Sequence, residues 1–189
     1  MTTTRSPTWR SVAGIAGCLL LAWFSVLRDV RVPMLGLVDL GFHELGHLLT
    51  YPLPDIVTAA MGSVAQVAVP LGLAGYFALA RRDLVGGGLC LAWAGASARD
   101  VAVYVADAPF ERLPLIGGEH DWAFILGHLD ALGAAGTIAS AIRLTGALLL
   151  LAGTAACARS LLGARPRRAP ESTTRPREPN YGFGGRGGT

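Results

Sequence analysis

"IVTAAMGSVAQVAVPLGLAGYFALA", Ile56 to Ala80, contains no charged residue. About 20 such residues in a helix match the thickness of a bilayer's hydrocarbon core. The stretch reads as a membrane-spanning helix, and four more apolar segments surround it. They run over 11–27, 34–51, 84–106 and 136–162. The second is apolar only between Asp39, His43, Glu44 and His47. The fourth is interrupted by Arg99 and Asp100, and the fifth contains Arg143. Backbone groups in lipid must be satisfied internally, which helices do. The expected fold is therefore all-α: a polytopic transmembrane helix bundle of about five spans over residues 1–162. Residues 163–189, rich in Arg, Pro and Gly, cannot form a core and are expected to be a disordered tail.

Composition agrees. The 189 residues are 52% hydrophobic and only 15% charged, against about 25% charged in soluble domains. All 16 basic residues are arginine. The net charge of +3 misleads, because six of those arginines lie between Arg165 and Arg186 in the tail. A basic tail alone is a weak nucleic-acid signal, so no nucleic-acid partner is expected. Cys18, Cys90 and Cys157 each lie inside an apolar run without paired spacing, which implies neither disulfide nor metal.

Arginines mark the cytoplasmic side of membrane proteins. Arg28 and Arg31 follow the first segment, Arg81 and Arg82 the third, and the arginine-rich tail the fifth. Five spans with all three clusters inside place the N-terminus outside and the C-terminus in the cytoplasm. Arg5 and Arg10 run against that pattern. The acidic stretch 107–130 is then external, and His47, Asp100 and Asp107 fall in the outer half of the bilayer.

"GFHELGHLLT", Gly41 to Thr50, carries the chemistry. On a helix, His43 and His47 share one face on adjacent turns. Two imidazoles so placed can bind one zinc ion at about 2.0–2.1 Å. Glu44 lies beside that face, placed to take a proton from water rather than to bind metal; this is the H-E-x-x-H arrangement of zinc proteases. Gly46 leaves the helix surface open to a substrate or another helix. Ionisable groups within a membrane segment cost about 2.5–3.5 kcal/mol each on insertion scales, and by default they mark function.

A catalytic zinc needs a third protein ligand and an open position. Asp100, Tyr104 and Asp107 are spaced i, i+4, i+7 on one helical face. Either aspartate could complete the site, and His120, Asp121 and His128 are further candidates as ligands or supporting groups. An ion pair of Asp100 with Arg99 is the structural alternative. His128 reads as a loop or interfacial residue, Trp122 as an interface anchor, and Arg143 as a structural or snorkelling charge.

"FHELGHLL", Phe42 to Leu49, resembles the first core helix of site-2 protease-like intramembrane zinc metallopeptidases. "MGSVAQVAVPL", with Gly62 and Gln66, resembles the small-residue segment with an amide side chain that follows it in that family. "RDVAVYVADA", Arg99 to Ala108, occupies the place of the family's later aspartate-bearing helix. Asp107 there matches the third ligand, although the asparagine and the L-D-G of the family's stretch are not present. More narrowly, residues 35–150 resemble a group of uncharacterised bacterial polytopic membrane proteins that share H-E-x-x-H, A-D-A, L-P-L-x-G-G and H-D-W. The resemblance implies a protein of the bacterial inner membrane and a zinc-dependent peptidase. Its substrate would be a peptide bond in or near the membrane, within a membrane protein or a peptide. The family holds its zinc nearer the cytosol, whereas the arginine pattern here puts the motif toward the outside. Two other classes fit parts of the pattern: a non-catalytic metal-binding or ion-transport protein, and a haem protein with His43 or His47 as axial ligand. The first would favour more acids along the third and fifth segments. The second needs a histidine on a facing membrane segment, and no other segment has one.

Overall fold

A computed structural model describes residues 8–28, 30–115 and 119–164. Every regular element among them is a helix. Helix α1 covers Thr8–Ala22 and ends in a π turn, Trp23–Leu27; α2 covers Leu35–Thr50. Helix α3 covers Asp55–Gly75 and ends in a second π turn, Tyr76–Ala80, before α4, Leu84–Asp107. The short α5, Asp121–His128, precedes α6, Ala135–Ala164. Four of these helices are long and apolar enough to cross a membrane: α1 and α3 with their π turns, α4, and α6. The expected tail lies outside the described residues, apart from the last turn of α6.

Glycine sets the centre of the bundle. A Cβ on Gly95 would stand 2.5 Å from the Gly146 carbonyl oxygen, and one on Gly146 would stand 2.7 Å from that of Gly95. Gly88 meets Gly153 in the same reciprocal way. Both pairs are seven residues apart, so antiparallel α4 and α6 touch backbone to backbone, as small residues permit in lipid. Helix α1 packs into this pair, with Gly14 against Val85 and Cys157. Cys18 and Cys157 are buried there as free thiols, their sulfurs 3.9 Å apart. Asp83 caps α4 by accepting from the N–H groups of Val85 and Gly86.

Helix α2 departs from the expected second span. It has 16 residues, about 24 Å at 1.5 Å per residue, which is short of a full crossing. Its start lies level with the middle of α4, because Asp39 accepts from Trp93 Nε1 (2.7 Å) and Ser97 Oγ (3.0 Å). Its end meets the start of α3, where Thr58 Oγ1 donates to the Thr50 carbonyl. Asp39, His43, Gly46 and Thr50 face inward, while Leu37, Leu48 and Leu49 are exposed.

This corrects the expected topology. Arg10 pairs with Asp83 at 2.7 Å, and Ser11 bonds Ser160 at 3.2 Å. The start of α1 and the end of α6 therefore share one end of the bundle, where an odd number of crossings would have separated them. The physical reason is α2: it rises from mid-depth to the same end that α1 has already reached.

Candidate metal site

The site forms where α2, α3, α4 and α5 converge. A Cβ on Gly46 would overlap the Met61 carbonyl, so α2 lies directly on α3. The bare surface of Gly46 is filled by another helix. This contact sets His43 and His47 over Gly62. A Cβ on Gly62 would meet His47 Nε2 at 2.5 Å and His43 Nε2 at 2.7 Å. Among the described residues, His43, His47 and Asp121 form the one group of three such side chains able to hold a metal ion, their ligand atoms within 4.8 Å of one another.

Asp121 Oδ2 lies 3.0 Å from His43 Nε2 and 3.3 Å from His47 Nε2. Ligand atoms about 2.0–2.1 Å from a tetrahedral ion stand about 3.3 Å apart, so the spacing fits. Proton placement fits as well. His47 Nδ1 lies 2.8 Å from the Thr58 carbonyl, which can only accept, so Nδ1 carries the proton. That leaves the Nε2 lone pair facing a carboxylate oxygen. A metal ion held between the three would turn that opposition into coordination. Anchoring the far nitrogen of a ligand histidine on a carbonyl is the usual support for a metal site.

Asp121 is presented by the segment that reads in the sequence as a mixed loop. His120 caps α5, its Nδ1 accepting the Ala123 N–H at 3.2 Å. The Asp121 N–H donates to Tyr104 Oη (3.0 Å), and that hydroxyl donates to Asp121 Oδ2 (3.3 Å). Tyr104 stacks on His120 with ring centroids 4.2 Å apart and meets the His43 ring edge-on at 5.9 Å. Trp122 Nε1 donates to Ser63 Oγ, tying α5 to α3 beside Gly62.

The other candidates lie elsewhere. Asp107 Oδ2 accepts the N–H groups of Arg112 and Leu113, each at 2.9 Å, and stands 3.6 Å from His120 Nε2. Its carboxylate closes the turn after α4, and Asp121 rather than Asp107 stands beside the imidazoles. His120 is buried, and its Nε2 has no hydrogen-bond partner among the described residues. Asp100 pairs with Arg31 at 2.9 Å and accepts from Gln66 Nε2 at 3.1 Å, whereas Arg99 donates to the Ser25 carbonyl. Glu44 is exposed beside His43 and lines an open cleft of about 740 Å³ that also contains both histidines and Asp121. His128 is exposed at the end of α5, and Arg143 is half-buried on α6. The support from the Thr58 carbonyl and the α5 cap escaped sequence reading. A backbone acceptor leaves no residue signature, and S/T/D/N is the usual cap signal rather than histidine.

Together these observations define a helical bundle with four helices of membrane-crossing length and a His–His–Asp group that could hold a metal ion. Comparison with protein families, with curated proteins and with solved structures finds no match.

Proposed function

We propose that the chain is a zinc-dependent, membrane-embedded peptidase that hydrolyses a peptide bond in or near the bilayer. The observation that carries this reading is the group of His43, His47 and Asp121 gathered over Gly62 and next to Glu44 in an open cleft. His43 and His47 through Nε2, and Asp121 through its carboxylate, would hold the ion. Zinc, when bound, polarises a carbonyl and lowers the pKa of a coordinated water to about 7. Glu44 takes the proton from the attacking water and returns it to the leaving amine. The Thr58 carbonyl and Tyr104 hold His47 and Asp121 in place; neither touches the reacting atoms. The site-2 protease resemblance of "FHELGHLL" supports the same reaction class.

The arginines support an orientation in a bacterial inner membrane. Arg10, Arg81, Arg82 and Arg159 gather at one end of the bundle, and the six tail arginines follow α6. That end is assigned to the cytoplasm, with both ends of the bundle's helical chain on that side. Arg10 then agrees with the rule. The metal group would lie toward the outer face, with Glu119 in the lining of the same cleft.

The test is metal content of the detergent-purified protein. Wild type and Glu44→Gln should each carry about one zinc, and only wild type should cleave peptides. His43→Ala and His47→Ala should each lose the metal. Zinc retained in both histidine variants would sink the site, and cleavage by Glu44→Gln would remove Glu44 from its role.

A further inference from the structure

We infer that Arg31 is a carboxylate anchor, so that the peptidase proposed above takes substrates by a free C-terminal carboxylate close to the scissile bond. The inference rests on that peptidase reading.

Arg31 lines the same cleft as the metal group. Its stem crosses Gly36 so closely that a Cβ there would overlap Arg31 Cγ and Cδ. Its Nε donates to Asp100 Oδ1 at 2.9 Å, while Asp100 Oδ2 is held by Gln66. Three helices thus fix this side chain: α2 through Gly36, α4 through Asp100 and α3 through Gln66. Only Nε is used. Among the described residues the two Nη atoms have no partner, and the side chain is 58% exposed. A guanidinium held by Nε in the lining of an open cleft, its Nη groups unbonded among the described residues, matches a planar carboxylate.

Charge along the cleft gives the direction. Glu44, Glu119 and Asp121 line it at the metal end, whereas Arg31 lines it beside Asp100. The cleft's other acids are already engaged: Asp39 by Trp93 and Ser97, and Asp100 by Arg31 and Gln66. An anionic end therefore binds at Arg31. Asp100 and Tyr104 are one turn apart on α4, a rise of about 6 Å, and Tyr104 bonds Asp121. An extended chain covers about 3.3–3.6 Å per residue, so the carboxylate sits about two residues beyond the scissile carbonyl.

The test uses protein loaded with Co²⁺, whose visible spectrum reports a ligand on the metal. The probes are straight-chain hydroxamic acids with two to six methylenes, ending in either a carboxylate or the matching primary amide. At one chain length the acid should bind wild type about ten-fold or more tighter than the amide. In Arg31→Gln that ratio should fall to about one with cobalt content unchanged, and Arg31→Lys should recover only part of it. Equal binding of acid and amide by wild type, with the hydroxamate seen on the metal, would overturn the carboxylate anchor and leave the metal site standing. A stronger preference for the matching phosphonate would also overturn it. Failure to take up cobalt would overturn the metal site and this inference with it.

Discussion

Gly62 lies under His47 so closely that a Cβ on it would stand 2.5 Å from the imidazole Nε2. The Nε2 atoms of both histidines look onto this one bare position. Gly62→Ala should therefore weaken cobalt affinity by about ten-fold or more, and Gly62→Val should abolish binding. Gly41 lies on the same helix as the histidines, and a Cβ there would meet nothing within 4 Å. Gly41→Ala should leave affinity unchanged. Equal affinity in wild type and Gly62→Val, measured by titration, would mean that the ion, if any, binds elsewhere.

Asp121 and Asp107 should separate cleanly. Asp121→Ala removes the oxygen between the imidazoles and should remove the metal. Asp107→Asn should keep one metal per chain, because that carboxylate serves the N–H groups of Arg112 and Leu113. Its cost should appear as stability, about 1 kcal/mol. Elemental analysis and thermal unfolding of the two variants side by side make the comparison.

Metal should stabilise the fold in proportion to its binding. At free zinc about 100-fold above Kd, linkage gives about 2.7 kcal/mol. The unfolding temperature of wild type should rise with zinc concentration and fall again with chelator. That of His47→Ala should not move.

Asp83 gives the bundle a pH dependence. Burial raises its pKa, but hydrogen bonds from the Gly86 N–H, Arg10 and the Val85 N–H outweigh burial and hold the carboxyl below its ordinary 3.8. A lowered folded-state pKa means that the stabilisation is complete above the unfolded value and is lost as pH falls through the folded one. Asp83→Asn should therefore lower thermal stability at about pH 7. Wild type and variant should converge below about pH 4. A constant gap across that range would show that the charge of Asp83 is irrelevant.

Much of the bundle is legible in the sequence, because spans declare themselves by uncharged length. The segments 11–27, 56–80, 84–106 and 136–162 all fall within helices of crossing length. Depth is less legible. Residues 34–51 have a span's composition, but the link from Asp39 to Trp93 and Ser97 starts α2 halfway along α4. Counting it as a full crossing put the two ends of the bundle's chain on opposite sides. At the site, the i, i+4 spacing of His43 and His47 reads directly as a shared face. Asp121 does not, because it arrives from 74 residues beyond His47 on a helix of only eight residues. Its place depends on the hydroxyl of Tyr104 and on a cap made by His120. Asp107 has the helical spacing of a ligand, yet the neighbouring backbone N–H groups take its carboxylate.

The reciprocal glycines of α4 and α6 have one more consequence. Two helices in contact through main chain have no rotamers between them to rearrange. The seam from Gly88–Gly153 to Gly95–Gly146 is a stator, as is the contact of Gly46 on the Met61 carbonyl, and the part free to yield is α5, fastened by a few side-chain hydrogen bonds. Amides along the seam should exchange with solvent most slowly in the molecule, and those of α5 much faster. Substrate entry would then be a yielding of α5 against an unmoving wall.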